Sequence, residues 1–196
     1  DESKQWEMKI KYPSINFMLC DVRDAHKVAY VLDQVSPHIV IIAAAMKHVD
    51  RCEVEPYECI ETNIIGTKNI LENLSSSVHT VCFISTDKAC NPVSVYGMSK
   101  GISEGMMVER AFGDRERKYI TVRYGNVLNS RGSIIPTLHE MGKNKDITEF
   151  KLTHPEMTRF IMTLEQSVEL VDHAIKNADS GDIVIPCLLY TSDAAD

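Results

Sequence analysis

The sequence has no apolar run near the ~20 residues that a membrane span needs, and its opening, DESKQWEMKIKYP, lacks the basic-then-apolar order of a secretion signal. It also lacks a cluster of Lys and Arg, and its formal net charge is -7. Phosphate contact needs such a cluster, so a nucleic-acid partner is excluded and a small-molecule partner fits better. The six cysteines, at 20, 52, 59, 82, 90 and 187, form no CxxC pair and no dense short-range framework. Reduced thiols in a soluble, cytoplasmic protein are the expectation. His48 and Cys52 could share a helix face as half of a metal site, but no second pair accompanies them and no metal is expected. There is no internal repeat and no low-complexity tract.

What is present is an ordinary globular composition: 196 residues, 44% hydrophobic and 25% charged, enough for one sizeable core. Both ends read as incomplete. The first residue is not Met, and CLLYTSDAAD after Pro186 breaks the pattern before it and looks like a translated sequencing-library adapter. Residues 187–196 are therefore set aside as a non-native tail.

Elements alternate along the rest. Ile15 to Cys20 reads as a strand, and Asp24 heads a helix with Val28, Val31, Leu32 and Val35 on one face. Ile39 to Ala44 reads as a strand buried on both faces, and Pro56 opens a long helix through about Asn73. Strands at Val81 to Ile84, Ile120 to Tyr124 and Ile183 to Ile185 alternate with helices at Val95 to Phe112, from near Ser133 and Pro136, and at Thr163 to Asn177. This order predicts an α/β fold, a doubly wound parallel sheet with helices on both sides. Ligands bind beyond the carboxyl ends of such strands, which singles out residues 21–24, 43–50, 85–96 and 125–132.

Within those segments Tyr96 and Lys100 form Y-x-x-x-K at the start of a helix, so the phenol and the ammonium share a face. A phenol has a pKa of ~10, and a neighbouring cation lowers it, so that Tyr96 could take a proton from a sugar hydroxyl. The spacing alone equally describes a solvated pair. Ser85, Thr86, Asp87 and Lys88 follow a buried strand directly, where a hydroxyl, a carboxylate and an amine can face a ligand. A dehydrogenase or epimerase needs only the hydroxyl and the Tyr/Lys pair. Removing water between two sugar carbons needs a base and an acid as well, and Lys88 and Asp87 suit those roles. The alternative is that Thr86 and Asp87 cap a turn and Lys88 is solvated.

STDKACNPVSVYGMSK, with IIAAAMKHVD, ETNIIGTKNI and RYGNVLNSRGSIIP around it, closely resembles the inverting UDP-N-acetylglucosamine 4,6-dehydratases of the extended short-chain dehydrogenase superfamily. The likeness runs from about Asp21 to Pro186. It implies a Rossmann-like NAD(P)-binding domain over 1–186, incomplete, with part of a substrate lobe at about 134–186. It further implies NADP or NAD as cofactor, a UDP-N-acetylhexosamine as substrate, and a homo-oligomer when complete.

Carried over by position, the catalytic residues are Thr86, Asp87, Lys88, Tyr96 and Lys100. Asp21 and Val22, the small residues Ala43, Ala44 and Ala45, and Asn63 belong with Tyr96 and Lys100 to the cofactor side. Asn63 resembles a helix residue that steadies the site, and Gly66 one that permits close packing. Lys47, Asn126, Arg131, Ser133 and Arg159 resemble substrate contacts, the arginines suited to a diphosphate. The G-x-G-x-x-G fingerprint that seats a dinucleotide is absent from this sequence, and in the resembled family it precedes the region present here. Two rival readings remain, a UDP-sugar 4-epimerase and a non-catalytic nucleotide-sugar-binding protein.

Overall fold

The protein is described from a computed structural model covering residues 2–130, 133–144, 149 and 158–186. Four parallel strands form the sheet in the order β1-β2-β3-β6: Ile39–Ile42, Thr80–Thr86, Lys118–Tyr124 and Ile183–Val184. A second, two-stranded parallel sheet pairs β4, Asn126–Val127, with β5, Ile161–Met162. The helices are α1 Glu2–Lys11, α2 Ala25–Val35, α3 Val49–Val54, α4 Pro56–Ile60, α5 Gly66–Glu72, α6 Val95–Gly113, α7 Ile134–Lys143 and α8 Leu164–Asn177. The predicted α/β order and parallel pairing are those observed.

Strand alternation sends successive side chains of β2 to opposite faces, and each face has its own core. Val81 and Phe83 pack with Ile42, Tyr119, Leu71 of α5 and Met107 of α6. Cys82 packs with Ile120, Val122 and Ala174 of α8 on the other face. Helix starts follow their capping residues: Asp24, Ser94 and Thr163 accept from the backbone amides of Lys27, Gly97 and Gln166, and Thr163 and Gln166 complete a capping box.

Three sequence expectations need correction. Residues 16–20 make no strand. Among the described residues no strand pairs with this run, and β1 is left as the edge of the sheet. β1 itself is not buried on both faces: Ile39 and Ile41 are 42% and 50% exposed. Ile41 lies in register with Cys82, on the α8 face, and α8 packs over β2 and β3 rather than over β1. The predicted helix from Pro56 is also not uniform, since a π turn at Glu61–Ile65 separates α4 from α5. The 3₁₀ turn Asp87–Ala89, helix α3 and helix α1 had not been read from the sequence. The proposed tail, residues 187–196, and residues 145–148 and 150–157 of the suggested substrate lobe lie outside the described residues.

Candidate active site

The carboxyl ends of β1, β2 and β3 open into one cleft of about 630 Å³. That size lies within the ~300–1,000 Å³ usual for small-ligand sites. Of the residues expected at a site, Ala43, Ala45, Lys47, Thr86, Lys88, Tyr96, Lys100, Asn126, Ser133 and Arg159 line it. Asp21, Val22, Ala44, Asn63 and Asp87 do not. Arg131 lies outside the described residues.

The catalytic turn is built by the end of β2. Thr86 has extended backbone and caps the 3₁₀ turn, accepting from the Lys88 amide, while its hydroxyl donates to Asp87 Oδ1 at 2.9 Å. Lys88 Nζ reaches the same oxygen at 2.9 Å and Asn126 Oδ1 at 3.4 Å. Hydroxyl, carboxylate and amine thus form one hydrogen-bonded cluster, half-buried at the cleft edge. The turn is packed against the start of α6. A Cβ on Gly97 would lie 2.3 Å from the Lys88 carbonyl oxygen, so only glycine lets the helix approach this closely.

Tyr96 and Lys100 project from the first turns of α6, after Ser94 has capped it. The expectation that a neighbouring cation would lower Tyr96 is not met. Burial pushes its phenol up to about 12, the Thr86 hydrogen bond pulls it down, and Cys52, Asp87 and Tyr124 add to the rise. Burial pushes Lys100 down to about 8, opposed by Glu104 and Cys59. Its ammonium stands 4.0 Å from the centroid of the Phe83 ring. Low dielectric around both groups disfavours the charged form of each.

Ser85 lines the cleft too, and its hydroxyl donates to Glu104 of α6 at 2.5 Å. Asn63 is 1% exposed and acts as a brace. Its Oδ1 accepts from the Met46 amide at 2.8 Å, and its Nδ2 donates to the Met46 carbonyl at 3.1 Å and to Ser99 Oγ at 2.9 Å. The loop leaving β1 is thereby tied to α6. Asn63 occupies the π turn, a local widening often met at functional sites.

Asp21 sits on an exposed turn, where Arg23 bridges it at 2.7 Å and Glu58 at 2.9 Å. The Arg23 hydrogen bonds hold the Asp21 carboxyl below the usual range. The Val22 carbonyl accepts from Asn69 at 2.9 Å, and its side chain fills the space where Gly66 has no Cβ. This segment is anchored although it forms no strand.

On the far side of the cleft, a Cβ on Gly125 would lie 2.5 Å from the Phe160 carbonyl oxygen. This close approach, with the Asn126 amide donating to that oxygen at 2.8 Å, brings Arg159 to the cleft. Ser133 caps α7 by position, yet its hydroxyl is buried without a partner and faces the same cleft. Sequence reasoning named no role for Tyr124 and weighed His48, within residues 43–50, only as half of a metal site, yet both line the cleft. Their position, at or just past a strand's carboxyl end, was the available signal.

Ala43 and Ala45 present nothing beyond Cβ to the cleft wall near Tyr96 and Lys100, which fits the close approach of a flat ligand such as a nicotinamide ring. Among the described residues no group of three His, Cys, Asp or Glu converges to hold a metal, and no helix is long and apolar enough to cross a membrane.

Residues 1–189 match the family described as polysaccharide biosynthesis protein. The chain is 42% identical over 183 residues to an uncharacterized membrane protein, MJ1061, of Methanocaldococcus jannaschii, covering 91% of this chain and 54% of that protein. It is 39% identical over 191 residues to a UDP-glucose 4-epimerase of Rickettsia bellii (94% and 54% covered). It is 37% identical over 191 residues to an inverting UDP-N-acetylglucosamine 4,6-dehydratase of Campylobacter jejuni (95% and 56% covered). The X-ray structure of Pen from Bacillus thuringiensis superposes with a TM-score of 0.87 at 32% identity, covering 94% of this chain and 60% of that one. The chain spans about half the length of the curated relatives it matches.

Proposed function

Because the chain belongs to the polysaccharide biosynthesis protein family, of the extended short-chain dehydrogenase type, we propose that it carries the catalytic centre of an NAD(P)-dependent nucleotide-sugar 4,6-dehydratase. The substrate proposed is UDP-N-acetylglucosamine, converted with inversion at C5. The observation that carries this reading is the Thr86–Asp87–Lys88 cluster, an amine and a carboxylate 2.9 Å apart beside Tyr96.

Ala43 and Ala45 would seat NADP, or NAD, which would supply hydride chemistry at C4 and C6 of the sugar. Tyr96 accepts the C4 hydroxyl proton, the Thr86 hydrogen bond favouring phenolate against the cost of burial, and the role proposed for Lys100, on the same helix face, is to add a positive charge. The resulting ketone acidifies C5. With the proton they share placed on Asp87, Lys88 removes the C5 proton and Asp87 protonates the departing C6 hydroxyl. Tyr96 then returns its proton to C5 from the opposite face as hydride adds at C6. Asn126 steadies the Lys88 amine, and Lys47, Ser133, Arg131 and Arg159 hold the nucleotide diphosphate and sugar. The proposed compartment is the cytoplasm, which suits the free thiols of Cys20, Cys52, Cys59, Cys82 and Cys90, and the proposed assembly is a homo-oligomer.

A second reading, a UDP-sugar 4-epimerase, is favoured by the comparable identity to the Rickettsia bellii protein. It would use Thr86, Tyr96 and Lys100 and leave Asp87 and Lys88 without a proton to move. Product mass separates the two. Incubation with NAD(P)⁺ and UDP-N-acetylglucosamine gives a product lighter by one water if the dehydratase reading holds, and an isobaric product sinks it. Lys88→Met abolishes loss of water in the first case. Unchanged sugar binding and turnover in that variant would show that Lys88 is wrongly assigned.

A further inference from the structure

Glu104 lies one turn beyond Lys100 on the inner face of α6, and the two are 4% and 3% exposed. The Glu104 carboxylate is clamped across the sheet. Arg123 donates from Nε at 2.8 Å and from Nη2 at 2.5 Å to its two oxygens, and Ser85 donates at 2.5 Å. Ser85 and Arg123 are register partners on β2 and β3, so neighbouring strands fix one carboxylate from two directions. An isolated buried carboxylate is costly, and this one is fully paired. The proton transfers proposed above use none of these three residues.

We propose that Glu104 is a positioning residue: clamped by Arg123 and Ser85, it keeps Lys100 protonated within an apolar shell and so sets the pH range in which the Tyr96–Lys100 pair works. The groups facing Lys100 are Glu104 from its own helix, the Cys59 thiol from α4 and the Phe83 ring from β2. Arg123 of β3 stands behind the carboxylate. Burial drives the ammonium toward its neutral form and Glu104 is the largest influence in the other direction. Ser85 and Arg123 matter because they prevent the carboxylate from turning away.

The link to catalysis rests on the function proposed above, but the charge on Lys100 can be read without turnover. The protein carrying this chain is labelled at its lysine ε positions, and the Lys100 resonance is identified by its loss in Lys100→Met and followed through a pH titration. Lys100 titrates near 8 in the wild type. In Glu104→Gln it titrates lower by roughly one unit or more, the size of effect expected for loss of a close opposite charge.

Glu104→Gln leaves Arg123 buried without a counter-charge and can fail to fold for that reason. The double variant Glu104→Gln/Arg123→Met removes both charges and is expected to show a smaller fall in the same direction, because the more distant Arg123 cation opposes the Lys100 charge less than Glu104 supports it. A wild-type midpoint in either folded variant overturns the proposal. In turnover assays, the alkaline limb of kcat moves to lower pH by the same amount while KM for the nucleotide sugar is unchanged. A stationary limb with a shifted Lys100 resonance overturns the catalytic link alone. An isobaric product, by contrast, overturns only the dehydratase reading.

Discussion

Ile39–Ile42 and Val81–Ile84 look alike as sequence, each a short run of apolar residues suited to a central strand. In the fold they differ. Cys82 and Phe83 are 0% exposed, while Ile41, in register with Cys82, is half exposed. The difference lies in what surrounds each strand: β2 has a strand on either side and helices on both faces, and β1 has one strand and one covered face. It carries over to the loops beyond. The turn after β2 is locked by a cap, by Gly97 packing and by Glu104, whereas the loop after β1 is held by the Asn63 brace.

The sharpest way to break this contrast is to truncate one residue in each strand. Phe83→Ala should destabilise the protein by about 3–5 kcal/mol in chemical denaturation. Ile41→Ala should lose under about 1 kcal/mol, since much of that side chain is still in water. Equal losses would mean that β1 is as enclosed as β2.

The next effect concerns charge under the β2 end. Burial pushes Lys100 down to about 8 in the fold, from an ordinary value of 10.5. Between those values the unfolded chain binds more protons, so this group makes stability rise with pH and imposes its full penalty below 8. Comparing wild type with Lys100→Met isolates this from Cys52 and Cys82, whose raised thiols act in the opposite sense above pH 9. The stability difference should change by on the order of 2–3 kcal/mol across the window. A pH-independent difference would remove the claim that the ammonium is buried.

At the β1 end, Asn63→Ala leaves the Met46 amide and carbonyl without that partner and should cost about 2 kcal/mol. Hydrogen exchange at Met46 should accelerate while amides within β2 stay protected. The smallest effect is Ser94→Ala, which removes the α6 cap and should cost about 1 kcal/mol in thermal or chemical unfolding. A cost near zero would show that α6 is positioned by packing at Gly97 alone.

Much of the fold was legible because its signals are local. Asp24, Ser94 and Thr163 stand where helix caps should, and the apolar runs before Thr86 and Tyr124 are strands. The candidate site was partly legible for a related reason: Lys47, Lys88 and Tyr96 lie just past carboxyl ends of strands, where a parallel sheet places ligands, whereas Arg159, which precedes β5, was reached only through the family resemblance. Failures came where the outcome depended on distant residues. Ile15 to Cys20 has strand composition and no paired strand among the described residues, and the partners of Asn63, which the resemblance gave as steadying the site, are Met46, Cys59 and Ser99, which spacing could not name.

The sequence by itself determined the alternation of elements, the parallel pairing that follows from it, and the i,i+4 placement of Tyr96 and Lys100, because periodicity and capping act within a few residues. Only the tertiary structure decided that Ser85 turns to Glu104, that Tyr96 is raised to about 12 and Lys100 lowered to about 8, and that Asp21 lies on an exposed turn. Desolvation and ion pairing depend on which segments meet across the sheet, and those meetings join residues far apart in the chain.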